Sequence, residues 1–270
     1  MKTNLKILLA TAVLAFGTVG LECNGRVFAQ ENPDVTIVRT RQIGKKRTID
    51  IQNNAFFVVL TTAETPNSTI GLGIKALEGY EDGVWIDLNN NKQKEAGEEI
   101  TLLDGERATY VIQAPTVTLY GKITELDCSG NNLTALSTSN FSFLEKMNCS
   151  SNQITQLDVS RCNLLKDLIC DNNNLALLKT GKMKALERLS CAGNLLTKLD
   201  VKKTNTLEWI SCAGNSISGK QMAALLKSLP NRAGREQGAI IVGGWKDGEE
   251  NNCTEEQKQI ALAKNWEVKD

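Results

Sequence analysis

The sequence predicts an α/β-type coil of stacked 21-residue units, a parallel β-sheet on its concave face, preceded by a small β-rich domain. Three observations predict it. Cys128, Cys149, Cys170, Cys191 and Cys212 are each separated by 21 residues. An asparagine follows each by three positions: Asn131, Asn152, Asn173, Asn194 and Asn215. Apolar columns keep the same register: Leu126, Met147, Leu168, Leu189 and Ile210 two positions before the cysteines, with Ile123, Leu144, Leu165, Leu186 and Leu207 at five before. A fixed period of this length is the mark of an architecture whose core grows by stacking one unit on the next.

Each part of the unit has a physical role. The alternation of apolar residue, variable residue and Cys is a short strand, with its apolar side chains inward and the intervening ones outward. The Asn side chain can satisfy backbone groups where the chain leaves the strand and turns. Leu133, Ile154, Leu175, Leu196 and Ile217 lead into the convex return. The inner side of that return is apolar at Phe141, Cys162 and Met183 and at Val159 and Val201.

The unit L-x-x-L-x-C-x-x-N-x-L-x-x-L resembles the leucine-rich repeat, with Cys at the third apolar position. It is similar in particular to the internalin-like repeats of secreted bacterial proteins that carry a cysteine ladder. The resemblance covers residues 119 to 220. It implies a right-handed solenoid and a secreted or cell-surface protein that recognises other proteins, as in adhesion or host contact. It assigns no binding residue.

The flanks do not repeat. Residues 1–29 have the pattern of a secretory signal: Lys2 and Lys6, an apolar run from Ile7, then Val27-Phe28-Ala29 before Gln30. The run is short for a membrane anchor, and Glu22 is a poor residue ahead of a lipidated Cys23. Removing the leader leaves 28 basic and 30 acidic residues, a net charge of −2. Residues 30–118 show short β-like runs at Thr36–Thr40, Arg47–Gln52, Ala55–Thr62, Thr69–Ala76, Val84–Asp87 and Thr109–Gln113, broken by Gly, Asn and Pro. They form the expected β-rich cap domain. The five repeats occupy 119–217, and 218–270 are expected to close the stack as two longer helix-plus-strand coils. Met222, Leu225, Leu226 and Leu229 have helical spacing before Pro230, and Thr254 can cap a helix from Glu255.

Function is bounded by composition. Lys+Arg and Asp+Glu are equal at 31, which gives no reason to expect nucleic acid or an anionic membrane as partner. There is no histidine. Ser-His-Asp and Cys-His catalysis and His-containing zinc sites are therefore excluded. The expected function is protein recognition through the concave sheet, with a host receptor, an envelope protein or a glycan as partner and a monomeric chain. The alternative is a structural subunit of the bacterial envelope. An enzyme is not expected.

Two candidate sites and one structural column follow. Lys146, Asp167, Arg188 and Trp209, with Asn148 and Ile169 beside them, are the outward strand positions expected to meet the partner. Alternating charges there can also serve as cross-strand support, at about 0.2–1 kcal/mol a pair, but an outward Trp is the kind of anchor that dominates interfaces. Asp87, Asn89, Asn91, Glu95 and Glu98 have the oxygen spacing of a calcium loop. Against calcium, Lys92 occupies the position of the turn glycine and Lys94 adds positive charge, so an Asn-rich hairpin is the competing reading. The five ladder cysteines are expected to be free. Stacked strands put equivalent atoms about 4.8 Å apart, whereas a disulfide needs Cβ atoms about 3.8 Å apart.

Overall fold

A computed structural model describes residues 56–270, apart from 101, 139–140 and 245–249. The expected leader and the β-like runs at Thr36–Thr40 and Arg47–Gln52 lie outside the described residues.

The strands in chain order are β1 (Phe57–Thr62), β2 (Thr69–Ala76), β3 (Trp85–Asp87), β4 (Asp104–Val111), β5 (Thr116–Tyr120), β6 (Ile123–Asp127) and β7 (Leu133–Ser137). The repeat continues with β8 (Lys146–Asn148), β9 (Gln156–Asp158), β10 (Asp167–Ile169), β11 (Leu177–Lys179), β12 (Arg188–Ser190) and β13 (Trp209–Ser211). Then come α1 (Gly219–Ser228), β14 (Gly238–Ile241), α2 (Glu255–Leu262) and β15 (Trp266–Lys269).

One nine-stranded sheet has the order β15-β14-β13-β12-β10-β8-β6-β2-β4. From β6 to β15 every neighbouring pair is parallel. Glu125 lies opposite Lys146, Asp167 opposite Arg188, and Arg188 opposite Trp209, each pair 21 residues apart. The period seen in the sequence is therefore the register of the sheet. β2 joins antiparallel to β6 and to β4, so the β-rich region before the repeats extends this sheet.

The return side has strands of its own, which the sequence reading did not anticipate. β9 pairs parallel with β11, and β7 is the end strand of a four-stranded sheet, β3-β5-β1-β7. Leu136, Leu157 and Leu178 form their buried column, which Leu199 continues beyond the last of these strands. β4 also differs from expectation: it begins at Asp104, not Thr109. Asp104-Gly-Glu-Arg has no apolar alternation, and its main chain is held in the strand by pairing with β2.

A single apolar cluster runs from Val58 to Trp266. Phe141, Cys162, Met183 and Thr204 share one column of it, and all are buried. In the next column Thr138 and Thr180 alternate with Val159 and Val201. Their hydroxyls donate to the backbone oxygens of Asp158 and Asp200 at 2.7 and 3.0 Å, which satisfies both polar atoms and links successive coils. The coils touch closely at this edge. Gly181, at φ +58°, leaves no room for a side chain, because a Cβ there would lie 2.6 Å from Cβ of Ser160.

At the C-terminal end, α1 buries Met222, Leu225 and Leu226. α2 begins at a reciprocal cap: Thr254 accepts from the Gln257 amide, and the Gln257 side chain accepts from the Thr254 amide.

Candidate functional site

Two ladders hold the sheet. Each asparagine amide donates to backbone oxygens of two successive coils. Asn173 Nδ2 reaches the oxygens of Cys149, Cys170 and Asp171 at 3.0–3.2 Å, and its Oδ1 accepts from the Ile154 amide at 3.0 Å. Asn152, Asn194 and Asn215 repeat the pattern. Asn131 ends the ladder against β2, bonding both the amide and the oxygen of Gly71. A further member, Asn251, donates to the oxygens of Cys212 and Val242 and accepts from the Ile217 amide. Sequence reading missed it because the coil before it is longer than 21 residues, so no fixed period reaches it.

The five cysteines are fully buried and carry thiols. The thiols of Cys170 and Cys191 donate to the oxygens of Ser190 and Ser211 at 3.2 and 3.4 Å. Burial pushes the Cys149 thiol up to about 12, and Cys128, Cys170 and Cys191 well above the ordinary thiol range. These thiols are uncharged packing groups that donate weak hydrogen bonds, and they are poor nucleophiles.

Rigid spacing on the inner side aligns the outer one. Lys146 Nζ lies 3.4 Å from Glu125, which Lys75 of β2 also contacts at 3.1 Å. Burial opposes ionisation of Glu125, but these two ammonium groups outweigh it and hold the carboxyl below its ordinary range. Arg188 Nε lies 3.9 Å from Asp167, and the Arg188 guanidinium sits 5.1 Å from the Trp209 ring centroid. Beyond Trp209 the row continues to Ala239 and Glu267. The alternating charges thus resolve into a Lys75–Glu125–Lys146 group and an Asp167–Arg188–Trp209 group. Lys75, Ala239 and Glu267 escaped the sequence reading because their coils do not share the 21-residue offset.

The second outward row behaves differently. Asn148 Oδ1 accepts from the amide and hydroxyl of Ser150 at 3.1 and 2.7 Å, so its carbonyl holds the strand exit. Asp127 does the same for Ser129 and also meets Arg107 of β4. Ile169 is half-buried on the outward side between Asn148 and Ser190. Nearby, burial raises the Asp171 carboxyl above its ordinary range, although the Ser190 hydroxyl and the Ala192 amide both donate to it.

The Asp87–Glu98 loop is built around two buried carboxylates. Asp87 accepts from the amides of Asn91 and Lys92, and Glu98 accepts from those of Leu88 and Glu95, at 2.8–3.0 Å. Asn89 and Asn91 turn their carbonyls onto the amides two residues ahead, and Asn89 Nδ2 donates to Glu95. Lys92 adopts the left-handed backbone, φ 63°, that the turn glycine of a calcium loop would take. Backbone amides thus engage the side-chain oxygens of Asp87, Asn89, Asn91 and Glu98. Among the described residues, no group of three or more His, Cys, Asp or Glu side chains is placed to hold a metal ion.

No family model and no curated protein matches the chain. Among solved structures, it is similar to the functional domain of InlJ from Listeria monocytogenes, which includes a cysteine ladder. The identity is 32%, over 44% of this chain and 25% of that one, with a TM-score of 0.38. The match thus spans a quarter of the InlJ chain's length.

Proposed function

We propose that the protein is an exported leucine-rich-repeat solenoid that recognises a protein partner through the outward, concave side of its nine-stranded sheet, and that it does no chemistry there. The observation that carries this reading is the Arg188–Trp209 cation–π contact. A half-buried indole has a guanidinium 5.1 Å over its ring, on adjacent strands of a sheet held by two internal ladders. Trp and Arg are the side chains that most often dominate binding energy, and strands hold them more rigidly than loops do.

Ile169 supplies apolar area beside this contact, and the Lys146–Glu125 and Arg188–Asp167 pairs form a charged rim that tunes association rate more than affinity. Export rests on the basic and apolar pattern of residues 1–29.

The test is affinity for a partner captured with the full chain from host or bacterial surface extracts. Trp209→Ala is expected to weaken binding at least about thirtyfold, as expected for a hot-spot residue worth 2 kcal/mol or more. Unchanged affinity in a folded Trp209→Ala chain would remove the centre of the proposal.

A further inference from the structure

On the return side of three successive coils, Arg161, Lys182 and Lys203 stand 21 residues apart, each exposed and each next to a buried member of the Cys162–Met183–Thr204 column. The flanking core positions share one turn geometry: Cys162, Met183 and Thr204 each accept a backbone hydrogen bond from the residue three further on. The three cations therefore occupy equivalent places on successive coils, whose paired strands are about 4.8 Å apart. Lys184 and Lys202 are exposed beside them. Among the described residues none of the five has an ion-pair partner, unlike the lysines of the sheet face. Two acids share the area. Asp158 is already 3.5 Å from Lys179, and Asp200 accepts from the Lys202 amide. Like charges held this close repel one another, and the protein's near-zero net charge gives no general reason for the cluster.

A second feature adjoins it. A groove of about 530 Å³ runs along β7, β9 and β11, lined by Ser137, Gln156, Ser160, Arg161, Leu177 and Lys179 among others. Its size falls in the range of small-ligand sites, and hydroxyl, amide and cationic side chains meet there beside one carboxylate, Asp158, which Lys179 pairs.

We propose that this groove and the Arg161–Lys182–Lys203 row bind a linear acidic glycan, with sugar hydroxyls against the groove and sulfates or carboxylates along the row. A single file of point charges suits an extended polyanion. A membrane surface would call for large apolar or aromatic groups around the cations, and from Asp158 to Thr206 only Leu164 and Leu195 are large exposed apolar side chains. Single-stranded nucleic acid would call for stacking aromatics, and these three turns carry none from Asp158 to Thr206. The site is separate from the sheet face and stands or falls independently of it.

The full chain is measured against immobilised heparin, polygalacturonate and neutral dextran, with single-stranded DNA and phosphatidylcholine–phosphatidylserine vesicles as competitors. Binding to heparin, polygalacturonate or both, but not dextran, is expected, and which of the two binds distinguishes sulfate from carboxylate. R161E/K182E/K203E is expected to lower affinity about tenfold or more, while K92E/K94E/K220E, with the same charge change elsewhere, has a much smaller effect. The milder K182Q/K203Q is expected to weaken binding in the same direction and serves if the triple reversal fails to fold. Absence of binding to both acidic glycans, equal losses in the two triples, or tighter binding of DNA or vesicles would overturn the proposal.

Discussion

At the scale of single residues, the protein relies on a few buried polar groups that are fully used. Asn173 is 7% exposed and makes three donor contacts and one acceptor contact, joining two successive coils through main-chain atoms. Asn173→Ala would leave the amide of Ile154 and three carbonyl oxygens without that partner. Each buried unsatisfied group costs about 1–3 kcal/mol, and some of the oxygens have other donors, so the expected loss is about 3 kcal/mol in urea unfolding. A loss under about 1 kcal/mol would show that the ladder is incidental. Asn131 to Asn215 were legible from spacing alone. Asn251 was not, since only the folded chain shows that a 36-residue interval from Asn215 returns an asparagine to the same place.

Elements follow the same division. β6, β8, β10, β12 and β13 could be read because one period fixes both their position and their register. β9 and β11 could not, because a short strand on a turn has no alternation long enough to mark it. The cysteine column links this level to pH. The thiols of Cys128, Cys149, Cys170 and Cys191 have folded values raised above the unfolded thiol value of about 8.5, with Cys149 at about 12. Their stabilising contribution is thus complete below about pH 8.5. It is lost as pH rises toward the folded values, because the unfolded chain releases protons that the folded one retains. Each thiol contributes a slope of up to about 1.4 kcal/mol per pH unit in that window. Urea unfolding between pH 8.5 and 11 should therefore fall more steeply for the native chain than for Cys149→Ala/Cys170→Ala. Parallel pH profiles would contradict the burial of uncharged thiols.

For the whole molecule, stacking explains both the stability and the alignment of the proposed recognition surface. The β-rich region before the repeats shares the sheet and the core with them through β2 and β1, and α1, β14, α2 and β15 continue the stack at the other end. The sequence marked the outward charges and Trp209, since the strand period fixes which side chains face out. It could not show how the charges pair, because Lys75 and Arg107 arrive from antiparallel strands outside the repeat. Nor could it show that Asn148 is occupied by its own turn, or that amides fill the Asp87–Glu98 loop; both depend on hydrogen bonds that spacing does not encode. The central claim is that the sheet face, not the return side, meets a protein partner. Its most direct test places a photoactivatable phenylalanine analogue at Ile169 on that face, and in a second chain at exposed Thr197 on the return side, before irradiation with surface extracts. The account predicts a discrete protein adduct from position 169 only, suppressed by excess unlabelled native chain but not by the Trp209→Ala chain. Equal adducts from both positions, or an adduct from 197 alone, would contradict it.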